Sequence, residues 1–317
     1  MEAVHASRES WVALGELDAF AGRLPARVGA TLAGEQGCVR FVRSDEALFG
    51  TIELDEPAWR HAAGSAPESG PFPIEMATIE AYASLFGCLE AQGYPYLARV
   101  WNFIPDILGE QGGHERYRLF NRARQAAFEA AGREVTGDVP AATGIGLDEK
   151  RVQIHFIATR VRPIPVENPR QISAFHYPKQ YGAKSPTFAR AVIVPFASAP
   201  VLLISGTASI VGHETVHAGD VVAQTHETFA NLDALIDEAN RVSSRRLGHA
   251  GFSFEKLALR IYVRQASDFA RVREVVDAHP GARSTSRHAV RGDICRPDLL
   301  VEIEASGDGE AVDAGSR

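Results

Sequence analysis

Only three of the 317 residues are cysteine, Cys38, Cys88 and Cys295, and they lie far apart. An odd, scattered set argues against a disulfide framework or a cysteine-rich metal site and fits a reducing compartment. Lysine and arginine form no cluster that could neutralise a phosphate backbone or dock on an anionic membrane, and the net charge is -7, so nucleic acid is not expected as a partner. No run of eighteen apolar residues exists, which excludes a spanning helix. The opening MEAVHASRESWVALGELDAF carries acidic side chains early and no continuous apolar stretch, so it does not read as a secretory signal. The chain is expected to be cytoplasmic and to engage neither membrane nor nucleic acid.

What is present is ordinary globular usage, 45% hydrophobic and 23% charged, enough for one large core or, as the length favours, two smaller ones. A degenerate internal repeat supports two. EAYASL at 80–85 recurs as ETFANL at 227–232, so Glu80, Ala83 and Leu85 reappear as Glu227, Ala230 and Leu232. Ile79, Tyr82, Leu85, Phe86 and Leu89 fall at helical spacing in a first helix running from Met76 to a stop near Gly93, and Phe229, Leu232, Leu235 and Ile236 do so in a second. Each helix leads into a strand, YLARVWNFI from Tyr96 and KLALRIYV from Lys256, with a longer connection expected around Ser243 to Gly251 in the second copy.

RVQIHFIATRV, ARAVIVPF and PVLLISG read as strands bounded by Pro and Gly, DFARVREVVDAH as an amphipathic helix with Phe269, Val272, Val275 and Val276 on one face, and LLVEIE at 299–304 as a last strand. This predicts an α+β fold, a mixed sheet with helices packed on one face. The expected division is residues 1–145 and 146–305, with ATGIGLDEK at 142–150 as the joint and 306–317 as a disordered tail.

The string LLISGTASIVGHETVHAGDVVAQTHETFANLDALI and the closing LLVEIEA resemble the RidA-like superfamily, which implies two RidA-like (chorismate-mutase-like) domains. RVWNFIPDI with ERYRLFNRARQAAF, VENPRQISAFHYPKQYGAKSPTFARA, and GDICRPDLLVEIEA resemble one branch of it, the chorismatases, over residues 95–305. The resemblance implies cleavage of chorismate to pyruvate and 3-hydroxybenzoate, with 4-hydroxybenzoate as a second product, no cofactor, and a monomer or homotrimer. The alternatives are a chorismate hydrolase giving a dihydroxycyclohexadiene carboxylate, a RidA-like imine deaminase, and a non-catalytic small-acid binding module.

Chorismate is a dicarboxylate enol ether, so its site needs guanidinium forks, which match carboxylates in bidentate fashion, and an acid able to protonate carbon. The family-like stretches offer Arg124, Tyr117, Tyr177, Tyr181 and Arg190 for binding, while Arg118 and Arg122 read as solvated helix charges. Alternation along LLVEIE sets Glu302 and Glu304 on the face opposite Val301 and Ile303. A mid-strand carboxyl in such company is desolvated and its pKa raised, which suits Glu302 as general acid. Glu304 is the weaker candidate because it nears the strand end.

By resemblance, Cys295 stands where 3-hydroxybenzoate formers carry Cys, and it would assist the rearrangement to the aromatic acid. Ala208 stands where those enzymes tend to carry Gly and the hydrolytic branch Ala, a mixed pair that resembles producers of both hydroxybenzoates. HETVH at 213–217 matches the HExxH pattern, but that chemistry needs a helix, and Gly212, Gly219 and β-branched Thr215 and Val216 predict a hairpin or loop instead. His155 and His176 read as structural histidines, with His176 placed to line the pocket beside Tyr177.

Overall fold

A computed structural model describes residues 32–56, 71–148, 150–248, 251–282 and 286–309. Strands β1 (Leu32–Gln36), β2 (Val39–Arg43) and β3 (Ala47–Asp55) precede helix α1 (Pro73–Gln92) and strand β4 (Tyr96–Pro105). A short hairpin, β5 (Glu110–Gln111) and β6 (His114–Glu115), leads to α2 (Arg116–Ala130), β7 (Ala141–Leu147) and β8 (Arg151–Thr159). The second half runs β9 (Ile164–Val166), β10 (Ala191–Val194), β11 (Val201–Ala208), the hairpin β12 (Ile210–Val211) and β13 (Glu214–Thr215), α3 (Val221–Leu247), β14 (Leu257–Val263), α4 (Phe269–Ala278), β15 (Arg287–Arg291), β16 (Asp293–Ile294) and β17 (Val301–Asp308).

The two halves share one topology. Their sheets run β7-β4-β8-β3-β2-β1 and β15-β14-β17-β11-β10-β9. In each, the pair at one edge is parallel (β4 with β7, β14 with β15) and every other pair antiparallel. The repeat read between α1 and α3 is thus a repeat of the whole unit. Strand β16 crosses over from the second half to extend the first sheet beyond β7.

Several expectations are corrected. The proposed joint at 142–150 is largely strand β7, and RVQIHFIATRV, placed in the second half, is β8 of the first sheet, so the chain passes to the second sheet after Thr159. The final strand starts at Val301 rather than 299 and continues to Asp308, so Ser306 to Asp308 belong to it; Gly309 follows with its amide donating to the Pro200 carbonyl, and 310–317 lie outside the described residues. Helix α1 starts at Pro73, with the Glu75 carboxylate accepting from the Phe72 amide at 2.9 Å, and stops at Gly93, whose φ of 73° favours glycine. Ile79, expected on its buried face, is 40% exposed. Part of the extra length of the second copy extends the helix itself, 27 residues in α3 against 20 in α1.

Helices cover the outer faces. Tyr82, Leu85, Phe86 and Leu89 of α1 pack on one sheet and Phe229, Leu232, Leu235 and Ile236 of α3 on the other. A third core, including Trp101, Phe103, Ile145, Val192, Leu203 and Leu299, fills the layer where the sheets face each other. Strand β17 divides its side chains as the alternation predicts: Val301, Ile303 and Ala305 enter the helix-side core, which turns Glu302 and Glu304 toward the seam between the sheets.

At that seam Glu304 is 1% exposed and accepts hydrogen bonds from Arg99 at 2.7 Å, Trp101 at 2.8 Å, Thr143 at 2.6 Å and Arg260 at 3.2 Å. Three of these donors belong to the first sheet, so a buried carboxylate of one half is clamped by the other. Nearby, the Ser205 hydroxyl donates to the Ala189 carbonyl at 2.6 Å and accepts the Ala142 amide at 2.8 Å, a second tie across the seam. Glu304→Ala leaves two buried guanidiniums without their carboxylate and is expected to cost about 3–5 kcal/mol of unfolding free energy. Urea denaturation of the full chain measures it; a loss below about 1 kcal/mol would show that the clamp does not hold the halves together.

Candidate active site

A cavity of about 470 Å³ opens at the seam, lined by Tyr117, Tyr177, Tyr181, Arg190, Ala208, Cys295, Arg296 and Glu302 among others. It shares Tyr117, Phe188, Gly206, Cys295 and Glu302 with a smaller chamber of about 40 Å³ whose walls include Asn102, Thr143 and Arg124. Every residue named from the sequence as catalytic or substrate-binding borders one of these two spaces. Arg118 also lines the larger one, while pairing with Glu115 at 3.1 Å, and Arg122 instead pairs with Glu75 at 2.5 Å. His176 packs edge-on against Phe175 and is not among the described lining residues, and buried His155 lies between the rings of Phe49 and Phe103.

Glu302 stands at the junction. Strand β11 carries a register shift between Ile204 and Thr207, which opens the pairing with β17 and sets Ala208 opposite Glu302. A Cβ at Gly206 would come within 1.9 Å of the Glu302 Oε1, so only glycine leaves room for this carboxyl. Unlike Glu304, it receives no hydrogen bond from any described residue. Burial is the main cause that pushes the Glu302 carboxyl up to about 8, the Glu304 charge adds to it, and Arg99 and Arg190 oppose it. The group is therefore a protonated acid near neutrality. Cys295 borders both chambers, and burial together with the Glu302 carboxyl pushes its thiol up to about 12, so it carries S–H rather than thiolate.

The cations differ from ordinary surface charges. Arg124 is 3% exposed, lies over the Tyr82 and Phe128 rings at 5.6 and 5.7 Å, and donates to the Thr187 carbonyl at 2.6 Å. Arg190 is 4% exposed and donates to the Ile172 carbonyl at 2.8 Å and the Tyr177 hydroxyl at 2.7 Å. The Nε atoms of both are buried without a hydrogen-bond partner; no described carboxylate forms an ion pair with either guanidinium, and Glu167 instead accepts the main-chain amide of Arg190 at 3.4 Å. Buried guanidiniums with donors to spare are receptors for an anion.

Sequence reasoning missed Gly206, Thr143 and Arg296. The Thr143 hydroxyl donates to Glu304 and accepts from Arg99 at 2.5 Å and from the Gly206 amide at 3.0 Å, linking the clamp to the strand beside Glu302. Arg296 stacks 4.1 Å from the Tyr181 ring centroid and 5.4 Å from that of Tyr177. The HETVH segment is no helix: Glu214 and Thr215 form β13, His213 contacts the Tyr181 hydroxyl at 3.2 Å, and His217 faces Glu227 at 3.3 Å. No group of three or more metal-ligating side chains exists among the described residues, and no described helix is long and apolar enough to cross a membrane.

Known proteins share this architecture. Residues 26–158 match the family model described as chorismatase FkbO/Hyg5-like, N-terminal, and residues 186–307 the one described as endoribonuclease L-PSP. A 3-hydroxybenzoate synthase of Streptomyces hygroscopicus is 39% identical over 280 residues, 86% of this chain and 76% of that protein. The chain belongs to the chorismatase family. A chorismatase of Streptomyces rapamycinicus is 36% identical over 282 residues, 87% of this chain and 79% of its own. The crystal structure of a chorismatase superposes with a TM-score of 0.76 at 33% identity, covering 87% of this chain and 78% of that one.

For a member of this family the buried acid has a thermodynamic signature. The folded chain holds a proton on Glu302 up to about pH 8, whereas an exposed glutamate releases it near 4.5. Between those values the folded state binds one proton more than the unfolded state, so this group's contribution to stability is lost as pH rises through the window. Glu302→Gln cannot ionise and should escape that loss. Thermal unfolding should therefore favour the variant over the wild type by more near pH 9 than near pH 5, and an equal difference at both would mean that the carboxyl titrates as an ordinary one.

Proposed function

We propose that this chain cleaves chorismate to pyruvate and 3-hydroxybenzoate, with 4-hydroxybenzoate as a second product. The observation that carries the reading is a carboxyl held protonated near neutrality beside two buried guanidiniums, Arg124 and Arg190, that form no ion pair with a described carboxylate. The family membership and the names of its relatives agree with it.

The chemistry follows from those groups. Arg124 and Arg190, both buried, hold the dianion by charge-assisted hydrogen bonds. The Glu302 carboxyl donates its proton to the terminal carbon of the enol ether, leaving an oxocarbenium stabilised by the Glu302 carboxylate formed in the same step. The neighbouring ring hydroxyl attacks the ring carbon that bears the ether, the carbon-oxygen bond breaks, and pyruvate leaves. The atoms of chorismate divide completely between pyruvate and a hydroxybenzoate, so the net reaction consumes neither water nor an oxidant. Loss of a ring proton and opening toward the aromatic acid complete the sequence; the neutral Cys295 thiol relays that proton to the Glu302 carboxylate, which is thereby reprotonated.

A second reading, hydrolysis to a dihydroxycyclohexadiene carboxylate, is favoured by one feature, the Ala208 methyl opposite Glu302. Incubating the purified chain with chorismate and resolving the products distinguishes them: hydroxybenzoate equimolar with pyruvate is expected. Glu302→Gln should lower kcat by about 10²–10⁴-fold, and wild-type activity should fall as pH rises past about 8. Cys295→Ala should divert product toward the non-aromatic diene acid. A diene acid from the wild type, or an unchanged product mixture from Cys295→Ala, would overturn the assignment of that thiol.

A further inference from the structure

Arg296 follows Cys295 in the loop after β16, and its Nη1 donates to the His213 carbonyl at 2.9 Å and to the Thr215 hydroxyl at 3.3 Å. Its guanidinium is thus fixed from two directions, by the β12–β13 hairpin and by the Tyr181 ring 4.1 Å away. Its remaining donors find no acceptor among the described residues, and no carboxylate there pairs with it, although it lines the larger cavity. Arg190 lies 5.4 Å from the Tyr177 centroid, the distance at which Arg296 also stands from that ring. Two guanidiniums therefore share Tyr177 as a neighbour in the lining of the larger cavity, while Arg124 borders the smaller chamber beyond Glu302.

A cation immobilised by stacking, with donors open to a cavity, loses little entropy when an anion arrives, and a planar fork beside another planar fork suits one carboxylate better than a solvated lysine would. The acidic side chains that share the lining, Glu115, Glu214 and Asp298, repel a dianion unless a fixed cation offsets them. We propose that Arg296 is a specificity-determining residue that shares with Arg190 the binding of one of two substrate carboxylates, leaving Arg124 for the other. The HETVH segment acquires a role in this arrangement: its hairpin supplies the carbonyl and hydroxyl that hold Arg296 in place. The inference rests on the reading that the substrate is a dicarboxylate of chorismate's kind.

The test uses the full chain and three stable probes: 3-(carboxymethoxy)benzoate and its two mono-amides, each retaining one carboxylate. Affinities are measured by calorimetry for wild type, Arg296→Gln and Arg296→Lys. Arg296→Gln should weaken the dianion and one of the mono-amides about tenfold to hundredfold, leave the other mono-amide unchanged, and raise the KM for chorismate with kcat and its pH profile preserved. Arg296→Lys should restore part of the loss. Equal weakening of all three probes, or a fall in kcat at constant KM, would overturn the proposal, since the first marks a wall support and the second a role exerted through Cys295. If the wild type releases no pyruvate from chorismate yet discriminates the probes as stated, the proposed reaction fails while the role of Arg296 stands.

Discussion

One buried carboxylate organises this molecule. Glu304 is enclosed by four donors, and because Arg99, Trp101 and Thr143 come from the first sheet while Glu304 and Arg260 come from the second, the two halves cannot separate without stranding charge in an apolar seam. Such a network is stabilising only while every member is satisfied. The Thr143 hydroxyl shows how closely that condition is met: one donor and two acceptors, all used. The clamp fixes the approach of the sheets, and the approach of the sheets defines the cavity.

Two positions before it on the same face, Glu302 has the same chemistry and the opposite environment. No described residue donates to its carboxyl, Gly206 leaves it just enough room, and the clamped charge of Glu304 lies along the strand. Identical side chains thus separate into a fixed anion that holds structure and a neutral acid that faces a cavity. Neither half could build the site alone, since Tyr117 and Arg124 belong to the first unit and Arg190, Cys295 and Glu302 to the second. A pocket at the junction of two copies of one fold is the natural place for such a division of labour.

Local pattern made some of this legible. Alternation along VEIE gave the side of the sheet on which Glu302 lies, and helical spacing gave the buried faces of α3 and α4. Strand β7 reads as a joint in sequence because ATGIGL is rich in small residues, as turns are. It is small for another reason: a Cβ at Gly146 would meet Ile107 at 2.5 Å, and one at Gly144 would touch Tyr117. In sequence Glu304 sits at the apparent end of the strand, whereas pairing with β11 and β14 carries the strand to Asp308 and makes Glu304 central. Arg296 gives no signal in sequence, since its partners Tyr181, His213 and Thr215 are about eighty to one hundred and fifteen positions away and meet it only in the fold.

The claim on which all of this depends is that one carboxyl on β17 stays protonated near neutral pH because it is buried beside a clamped anion. A carbon-13 NMR titration of chain labelled at the glutamate carboxyl carbon, assigned by comparison with a Glu302→Gln sample, measures it without substrate. A resonance titrating near pH 8 is the predicted result. A Glu302 signal that moves instead near 4.5, with the exposed glutamates, would contradict the account.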